Sequence, residues 1–531
     1  MLKRRPNLTK PVAQQRGARV STTKTRAAPV GGWNASDPIA TMPVRDAVEL
    51  VNFFPRQRDV VTRGGRLTHC DVGTAEPVET IAEYEHGTVH KLLAASAGSI
   101  FDVSTDTAAS LGTGFADDLW ITTTLSNRMF FANGTDDMQV FDGTTLADAG
   151  FTGLALNLIK YVHVHQGRVY VVEKNSQSFW YGGVNAITGA LAEFDLSLVG
   201  SFGGNLHSLV TISRDGGSGA DDYLVALFDS GDAAIYQGTN PADSGAFSKV
   251  GFFKIGRPIA KRGAMDFGDD VLVVTERGYE SVRVSLPFGD KPQTSRLISK
   301  KIQEAVTKTI SSHIARGGAA IDTWGLAVYS KDQMLIVNVP YGEGTTQHVQ
   351  NLNTGAWCRF DGFNARSWGR FGSSLYMGDG GGIVYRYTDE IHDDGVAIRA
   401  YALTAWDAMD SPGRTKHHKL QWIASDSEGV AATAPHDATP GAFTLSIGVG
   451  SNYGPVTVGG GAAVNQTIST AEWDVSEWDD ADWEVESRTS IGWVKNGPVG
   501  YVSSARVTAE ALHYRVSWSQ ITYIYETGEL L

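Results

Sequence analysis

The sequence predicts a mostly β protein organised around a β-propeller of about six or seven blades, on three observations. Short apolar runs joined by tight glycine turns recur through the middle of the chain, many of these hairpins end in an aromatic, and 60 glycines accompany a 42% hydrophobic, 10% aromatic composition. The clearest copy is VETIAEYEHGTVHKLLAASAGSIFDVST, residues 78–105, in which Ala97-Gly98 separates two apolar runs as a hairpin turn does. Related turns stand at Gly167-Arg168-Val169-Tyr170, Gly231-Asp232-Ala233-Ala234-Ile235-Tyr236 and Gly382-Ile383-Val384-Tyr385. Each small sheet must bury its faces against the next, which is why the pattern repeats.

Taken in order, residues 1–42 form a basic, polar arm. Lys3, Arg4, Arg5, Lys10, Arg16, Arg19, Lys24 and Arg26 stand there without one acid before residue 37. Such a composition cannot build a core, so the arm is expected to be extended and to owe its order to a neighbouring subunit or partner protein. Residues 43–389 hold the propeller, with strand groups at 78–105, 119–141, 158–181, 206–236, 247–284, 324–360 and 368–387. A ring must close, and 59–71 is the natural donor of a strand to the last group. Ile298, Ile302, Val306 and Ile310 recur every four residues, predicting an inserted amphipathic helix over 298–315 that stops at Gly317-Gly318. It packs on a blade edge or makes a subunit contact. Residues 390–531 alternate strands with glycine-rich loops and end in YRVSWSQITYIYE, which predicts a C-terminal β-sandwich-like domain.

Charge divides the chain. With the eight arm cations set aside, 37 basic residues face 58 acidic ones, a body at −21 whose summed field repels nucleic acid. Cys70 and Cys358 are the only cysteines, so a secreted disulfide scaffold is not expected and two buried, idle thiols are. The charged N-terminal stretch is not followed by an apolar run, and nowhere do about 18 apolar residues stand together, so neither a secretory signal nor stable membrane insertion is expected, and folding in a cytoplasm is.

Catalytic signatures are sparse. Ser213-Arg214-Asp215-Gly216-Gly217-Ser218 begins an Asp-box turn but lacks its Thr-Trp ending. No carboxylate pair of the kind a glycosidase needs can be nominated. His163 and His165, two apart on a predicted strand, share a face and could share a metal, but no further ligand stands at suitable spacing. His417-His418, between Lys416 and Lys419, reads as a solvated basic turn. No enzyme activity, cofactor or metal is therefore expected. The acidic doublets Asp117-Asp118, Asp136-Asp137, Asp221-Asp222 and Asp269-Asp270 sit beside predicted strand ends. They read as a solvated rim, an adventitious calcium site, or the acidic lining of a channel. Trp473, Trp478 and Trp483, spaced by five in AEWDVSEWDDADWE, read as a local arch or, with Lys3, Arg4 and Arg5, as candidates for docking a partner.

Four stretches carry a family resemblance: VRDAVELVNFFPRQRDVVTRGGRLTHCDVG, the VETIAEYEHGTVHKLLAASAGSIFDVST that follows, MQVFDGTT, and YQGTNPADSGAFSKVGFFKIGRPI. Together they resemble the tail nozzle or tail hub proteins of short-tailed bacteriophages (podoviruses), also called tail tubular protein B, over nearly the whole chain. The resemblance implies a structural virion protein of the distal tail, assembled in the host cytoplasm. It further implies a ring of six copies that adjoins a tail adaptor below the portal, carries tail fibres or spikes, and passes double-stranded DNA during genome ejection without binding it specifically. An acidic wall suits such a conduit, because each lysine or arginine contact adds counterion-release affinity for phosphate. Two other readings stay open: a virion receptor- or glycan-binding propeller, and a sialidase-like hydrolase.

Overall fold

The computed structural model describes residues 21–199, 203–213, 222–282, 297–316, 323–342, 344–429, 442–456, 464–467, 487–495 and 497–530. Seven small antiparallel sheets follow one another as blades. Blade 1 takes Thr80–His86, Val89–Ser96, Ser99–Asp102 and Ala109–Thr113. Blades 2, 3 and 4 begin with Ile121–Leu125, Ile159–His165 and Leu206–Ile212, and each has four strands. Blade 5, Ala264–Phe267, Asp270–Thr275 and Gly278–Ser281, has three. Blade 6 starts with Gly325–Tyr329 and ends with Trp357–Phe360, and blade 7 starts with Ser367–Phe371. The group expected at 247–284 is divided: Phe247–Lys254 finishes blade 4, and blade 5 begins after it.

Local chemistry explains the hairpins. At the Ala97-Gly98 turn both residues have positive φ, 51° and 70°, as a two-residue turn matched to strand twist requires. A Cβ on Gly98 would lie 2.5 Å from the Phe115 carbonyl oxygen, so glycine is needed twice over there. Between blades the faces meet in apolar seams. Ala82, Tyr84 and Leu93 of blade 1 pack against Trp120, Met129 and Phe131 of blade 2, and Val225 and Ile235 of blade 4 against Val271 and Val273 of blade 5.

The ring closes through the N-terminal part of the chain. Gly65–Asp71 pairs antiparallel with Ile383–Thr388, from Thr388 opposite Gly65 to Ile383 opposite Asp71. Only this part of the expected donor crosses. Val60–Thr62 pairs instead with Phe53–Pro55 and with Ser517 and Trp518 of the C-terminal domain.

That domain is a two-sheet sandwich, and it is larger than residues 390–531. One sheet holds Ser487–Lys495, Arg414–Gly429 and Tyr514–Leu530, the last flanked by both Ser21–Ala27 and Val60–Thr62. The other holds Asp46–Val51, Ile398–Thr404, Ser503–Leu512, Ala442–Ser451 and Val464–Thr467. Asp46–Val51 also meets the outer strand of blade 6 in parallel, so sandwich and propeller share one ten-stranded sheet. The described half of the arm therefore packs within its own chain. Ser21–Ala27 zips onto Gln520–Glu526, Lys24 pairs with Asp410 at 2.6 Å, and Arg26, 5% exposed, donates to the Ala405 carbonyl. Ala28, Val30 and Trp33 enter the core behind it. The arm's charge does not reveal the strand edge at Gln520–Glu526 that pairs with it. His417-His418 is likewise no solvated turn: it lies within Arg414–Gly429, with Lys416 and His418 buried and their nitrogens against Ser411, Tyr501 and Ser503.

The helix is Gln303–Arg316. Ile302, Val306 and Ile310 are fully buried with Leu272, Val274 and Trp324, so it packs over blades 5 and 6 as an insertion on a blade edge. Both thiols are free and buried, and burial pushes that of Cys358 well up.

Where the chain crosses from sandwich to blade 7 stands Arg63, 1% exposed in its side chain. Its guanidinium donates to both oxygens of Asp393 (2.8 and 2.6 Å), to Asn52 Oδ1 (3.0 Å) and to the carbonyls of Gly64 and Asp361, and lies 3.9 Å over the Phe363 ring. Removing it leaves the Asp393 carboxylate unpaired at the joint. Arg63→Ala is expected to lower unfolding free energy by about 3–5 kcal/mol in urea titration. Arg56→Ala, which removes only the surface pair with Asp59, is expected to change it by about 1 kcal/mol or less.

Candidate functional site

Two concave regions concentrate polar groups: the propeller axis and the cleft between propeller and sandwich. The axis is bounded by the first strands of the blades, which adjoin around the ring. A cavity of about 430 Å³ runs between those of blades 2 to 5, lined by Ile121 to Thr124, Tyr161 to Val164, Val210, Ala264 and Asp266. His163 Nε2 lies 2.7 Å and His165 Nδ1 3.1 Å from the same Thr211 hydroxyl, so the two histidines do share a face, and a threonine joins them. Asp266 accepts the Thr211 backbone N–H at 3.0 Å, capping the open inner edge of blade 4. Water reaches this carboxyl through the cavity, yet the surrounding protein desolvates it and pushes its pKa up to about 6. Burial, aided by the neighbouring His165, lowers His163 to about 3. Burial also lowers His165 to about 4, against the pull of Asp222, and His207 to about 3, here with Lys160 adding to it.

One mouth of the axis is strapped shut. From the connection into blade 5, Lys261 Nζ donates to Asp117 Oδ2 (3.0 Å) and to the Asn133 carbonyl (3.1 Å) of blade 2. Arg262 next to it donates to the Glu79 carbonyl at 2.6 Å and to that of Arg366, at the starts of blades 1 and 7. Burial raises the Glu79 carboxyl although Arg262 and Arg366 oppose it, and burial lowers Lys160. The same mouth thus holds several charges that offset one another.

The described acidic doublets do not line this axial cavity. Both oxygens of Asp118 accept the Gly98 N–H at 3.0 Å, Asp136 accepts from Ala116, Asp117 and the Asn133 amide, and Asp270 accepts from the Ser281 hydroxyl. These are clamps on turns. Asp117 belongs to the strap, Asp222 lies near His165, and Asp137 and Asp269 are exposed on blade turns. Asp221, the Asp-box stretch from Arg214 onward, Lys3, Arg4, Arg5, Trp473, Trp478 and Trp483 lie outside the described residues. The axial cavity is lined instead by threonines, Tyr161, His163 and Asp266. A lone carboxylate inside the predicted strand AMDF was the available signal for Asp266. Among the described residues, Glu83, Glu85 and His90 bring three ligand atoms within 4.8 Å of one another. Glu83 there already accepts the Gly372 N–H (2.6 Å), lies 2.7 Å from His90 Nε2 and faces Arg370, closing the seam between blades 1 and 7.

The second region, about 410 Å³, opens at the joint. Phe54, Val61, Met334, Phe360 and Tyr387 form its apolar floor, and Arg56, Lys331, Asp332, Asp389 and Arg515 its charged rim. Asp389 serves two cations, Lys331 at 2.6 Å and Arg515 at 3.8 Å. Burial, then Asp389, raises the Asp332 carboxyl. An amphipathic cleft at a domain boundary, within the usual range of about 300–1,000 Å³, is the ordinary form of a binding site.

No family model matches the chain, and no curated protein matches it. Solved structures do. The Pan2 WD40 domain of Neurospora crassa is 11% identical, with 63% of this chain and 96% of that one covered at a TM-score of 0.37. BamB from Moraxella catarrhalis is 11% identical, with 64% and 94% covered at 0.33, and BBS1N, solved in complex with ARL6DN, is 11% identical, with 62% and 99% covered at 0.39. At these scores the class rests on the chain's own sheet order, a closed β-propeller with a β-sandwich sharing one of its sheets.

The buried histidines make stability depend on pH. His163, His165 and His207 have folded pKa values below the ordinary 6.5, so their contribution is complete above pH 6.5 and is lost as pH falls toward 4 and 3. Asp266, raised to about 6, works oppositely and offsets one of the three below that pH. Urea midpoints are expected to fall from pH 7 to pH 5, and His163→Gln to flatten the dependence by up to about 1.4 kcal/mol per pH unit.

Proposed function

We propose that the chain is a structural subunit of the distal nozzle of a short phage tail, arranged with further copies as a ring around the path of the genome. The observation that carries this reading is the way the two domains are joined. The chain crosses between them at Arg63 and again at 388–398, and the outer strand of blade 6 is hydrogen-bonded into the sandwich. Both terminal strands, Ser21–Ala27 and Tyr514–Leu530, are zipped to each other. A subunit that must hold its shape while a polymer is driven past it needs this redundancy, whereas an enzyme would need a convergent catalytic group. In the axial cavity His163, His165 and Asp266 bond Thr211.

The stretches that resemble the nozzle family coincide with this framework. Residues 44–73 contain both the sandwich strands and the ring-closing strand, 78–105 form most of blade 1, and 236–259 run from blade 4 into the strapped connection. In this reading the conduit lies between subunits, because the axis of each propeller is strapped at one mouth. A closed ring then requires two different, complementary faces on each copy. Exposed acids of the body that border the path would keep the wall from holding phosphate.

Electron microscopy of the purified chain, together with gold labelling of it in the particle, tests the reading. The expected result is a six-fold ring with an opening wide enough for a duplex, and label at the tail tip. A monomer at all concentrations with label elsewhere on the particle, or steady turnover of glycan substrates, would overturn it.

A further inference from the structure

Asp266 stands apart from the other carboxylates of the propeller. Asp102, Asp117 and Asp232 each face a lysine, and Asp118 and Asp136 hold backbone N–H groups of neighbouring turns. Asp266 has one partner: its Oδ1 accepts the Thr211 N–H at 3.0 Å, and no lysine, arginine or second hydrogen bond among the described residues reaches the carboxyl. It lines the axial cavity of about 430 Å³ from the first strand of blade 5. An ionised carboxylate set among protein groups without a counter-charge is destabilising, and a cation placed beside it relieves that strain.

The walls supply further acceptors and no competing cation. Ile121–Leu125, Ile159–His165, Leu206–Ile212 and Ala264–Phe267 are all edge strands, each hydrogen-bonded within its sheet on one side only, so alternate residues turn their carbonyls to the free edge. Thr122, Thr124 and Tyr161 add hydroxyl-bearing side chains to the lining. Burial raises the Tyr161 phenol and the Asp266 charge adds to it, so these two groups lie close together. Among the described residues no lysine or arginine lines the cavity, while Val162, Val164 and Val210 give it apolar surface. One carboxylate, several neutral acceptors and a partly apolar wall match a group with one positive charge, several N–H donors and a short alkyl chain. An ammonium group has three donors and no acceptor. A divalent metal ion fits less well, because it gathers several charged oxygens, and the three-ligand cluster among the described residues, Glu83, Glu85 and His90, lies on blade 1.

We propose that the axial cavity is a binding site for a small primary amine, with its ammonium group on Asp266 and Tyr161 and its alkyl chain along Val162, Val164 and Val210. The site needs only one copy of the chain and is independent of any ring.

Binding requires the ionised form of Asp266. Its carboxyl is pushed up to about 6, so affinity is nearly full at pH 7 and is lost as pH falls through 6, by about tenfold at pH 5. The other titratable groups around it do not obscure this. Tyr161 is pushed up, and His163 and His165 are pushed down to about 3 and about 4, so all three stay essentially neutral from pH 5 to pH 8, and Asp222 of blade 4 lies behind them near His165.

The test is isothermal titration calorimetry of the full chain with n-butylamine in sodium chloride buffer, and with tetramethylammonium as a cation of equal charge that lacks N–H donors. At pH 7 one butylammonium ion is expected to bind per chain, and tetramethylammonium at least tenfold more weakly. Asp266→Asn keeps an oxygen for the Thr211 N–H and removes the charge, and is expected to raise Kd at least tenfold. Absence of saturable binding at millimolar amine, equal binding of tetramethylammonium, or a Kd indifferent to Asp266→Asn overturns the proposal. Loss of binding when potassium replaces sodium also overturns it, since the site would then belong to an alkali ion. If Asp266→Asn does not fold, the pH profile of the unaltered chain decides. Surface carboxylates with ordinary pKa values of about 4 stay mostly ionised at pH 5, so amine held by the acidic surface would bind almost equally at pH 5 and pH 7. Such equality overturns the proposal, and a Kd about tenfold higher at pH 5 supports it.

Discussion

A buried guanidinium holds the molecule together. Arg63 stands between Val60–Thr62, which belongs to the sandwich, and Gly65–Asp71, which closes the propeller, so one side chain fixes the point where the chain changes domain. Burial of a charge is tolerable only when every donor is used, and here Asp393, Asn52 and the Gly64 and Asp361 carbonyls use them. Asp393 belongs to the second crossing, so the two crossings are tied to each other as well as to their domains. The Asn52 amide spreads the network further by donating to the Arg399 carbonyl, while its oxygen also accepts the Asp361 N–H. Ring closure, the shared sheet and the sandwich therefore meet at a single polar joint.

The strap at the propeller mouth obeys the same rule on a smaller scale. Lys261 and Arg262 reach across to carbonyls and an aspartate on other blades. Carbonyl acceptors there let cations cross the axis without a matching number of acids. Beside the axial cavity burial lowers His163, His165 and His207, and for His165 it outweighs the opposing pull of Asp222, so they are neutral near pH 7.

Much of this was legible in the sequence where local chemistry decides. The Ala97-Gly98 turn, the aromatic-ended hairpins, the four-residue spacing of the helix and the need for a strand to close the ring are local or topological, and each appears in the fold. What was illegible depends on pairing between distant segments. Nothing near Ser21–Ala27 announces that Gln520–Glu526 will offer it an edge, and charge counting pointed outward instead. His163 and His165 could be placed on one face by spacing alone, but Thr211, forty-six residues on, could not be foreseen as their partner. The doublets are ambiguous for another reason: aspartates that clamp turns by accepting backbone N–H groups are written in the same letters as aspartates that line a wall.

That distinction alters the electrostatic argument for a conduit. A carboxylate that accepts N–H groups still carries its charge, but its field is partly cancelled by the dipoles it holds, and it cannot turn toward a passing phosphate. Asp118 and Asp136 are of this kind, and Asp117 is neutralised by Lys261. Any repulsive surface must then be built from acids that are exposed, such as Asp137 on a blade 2 turn. Screening confines their influence to about 8–10 Å, so in the proposed ring only a face that carries such turns could act on a duplex, and the orientation of the propeller would decide whether the net charge of the body matters at all.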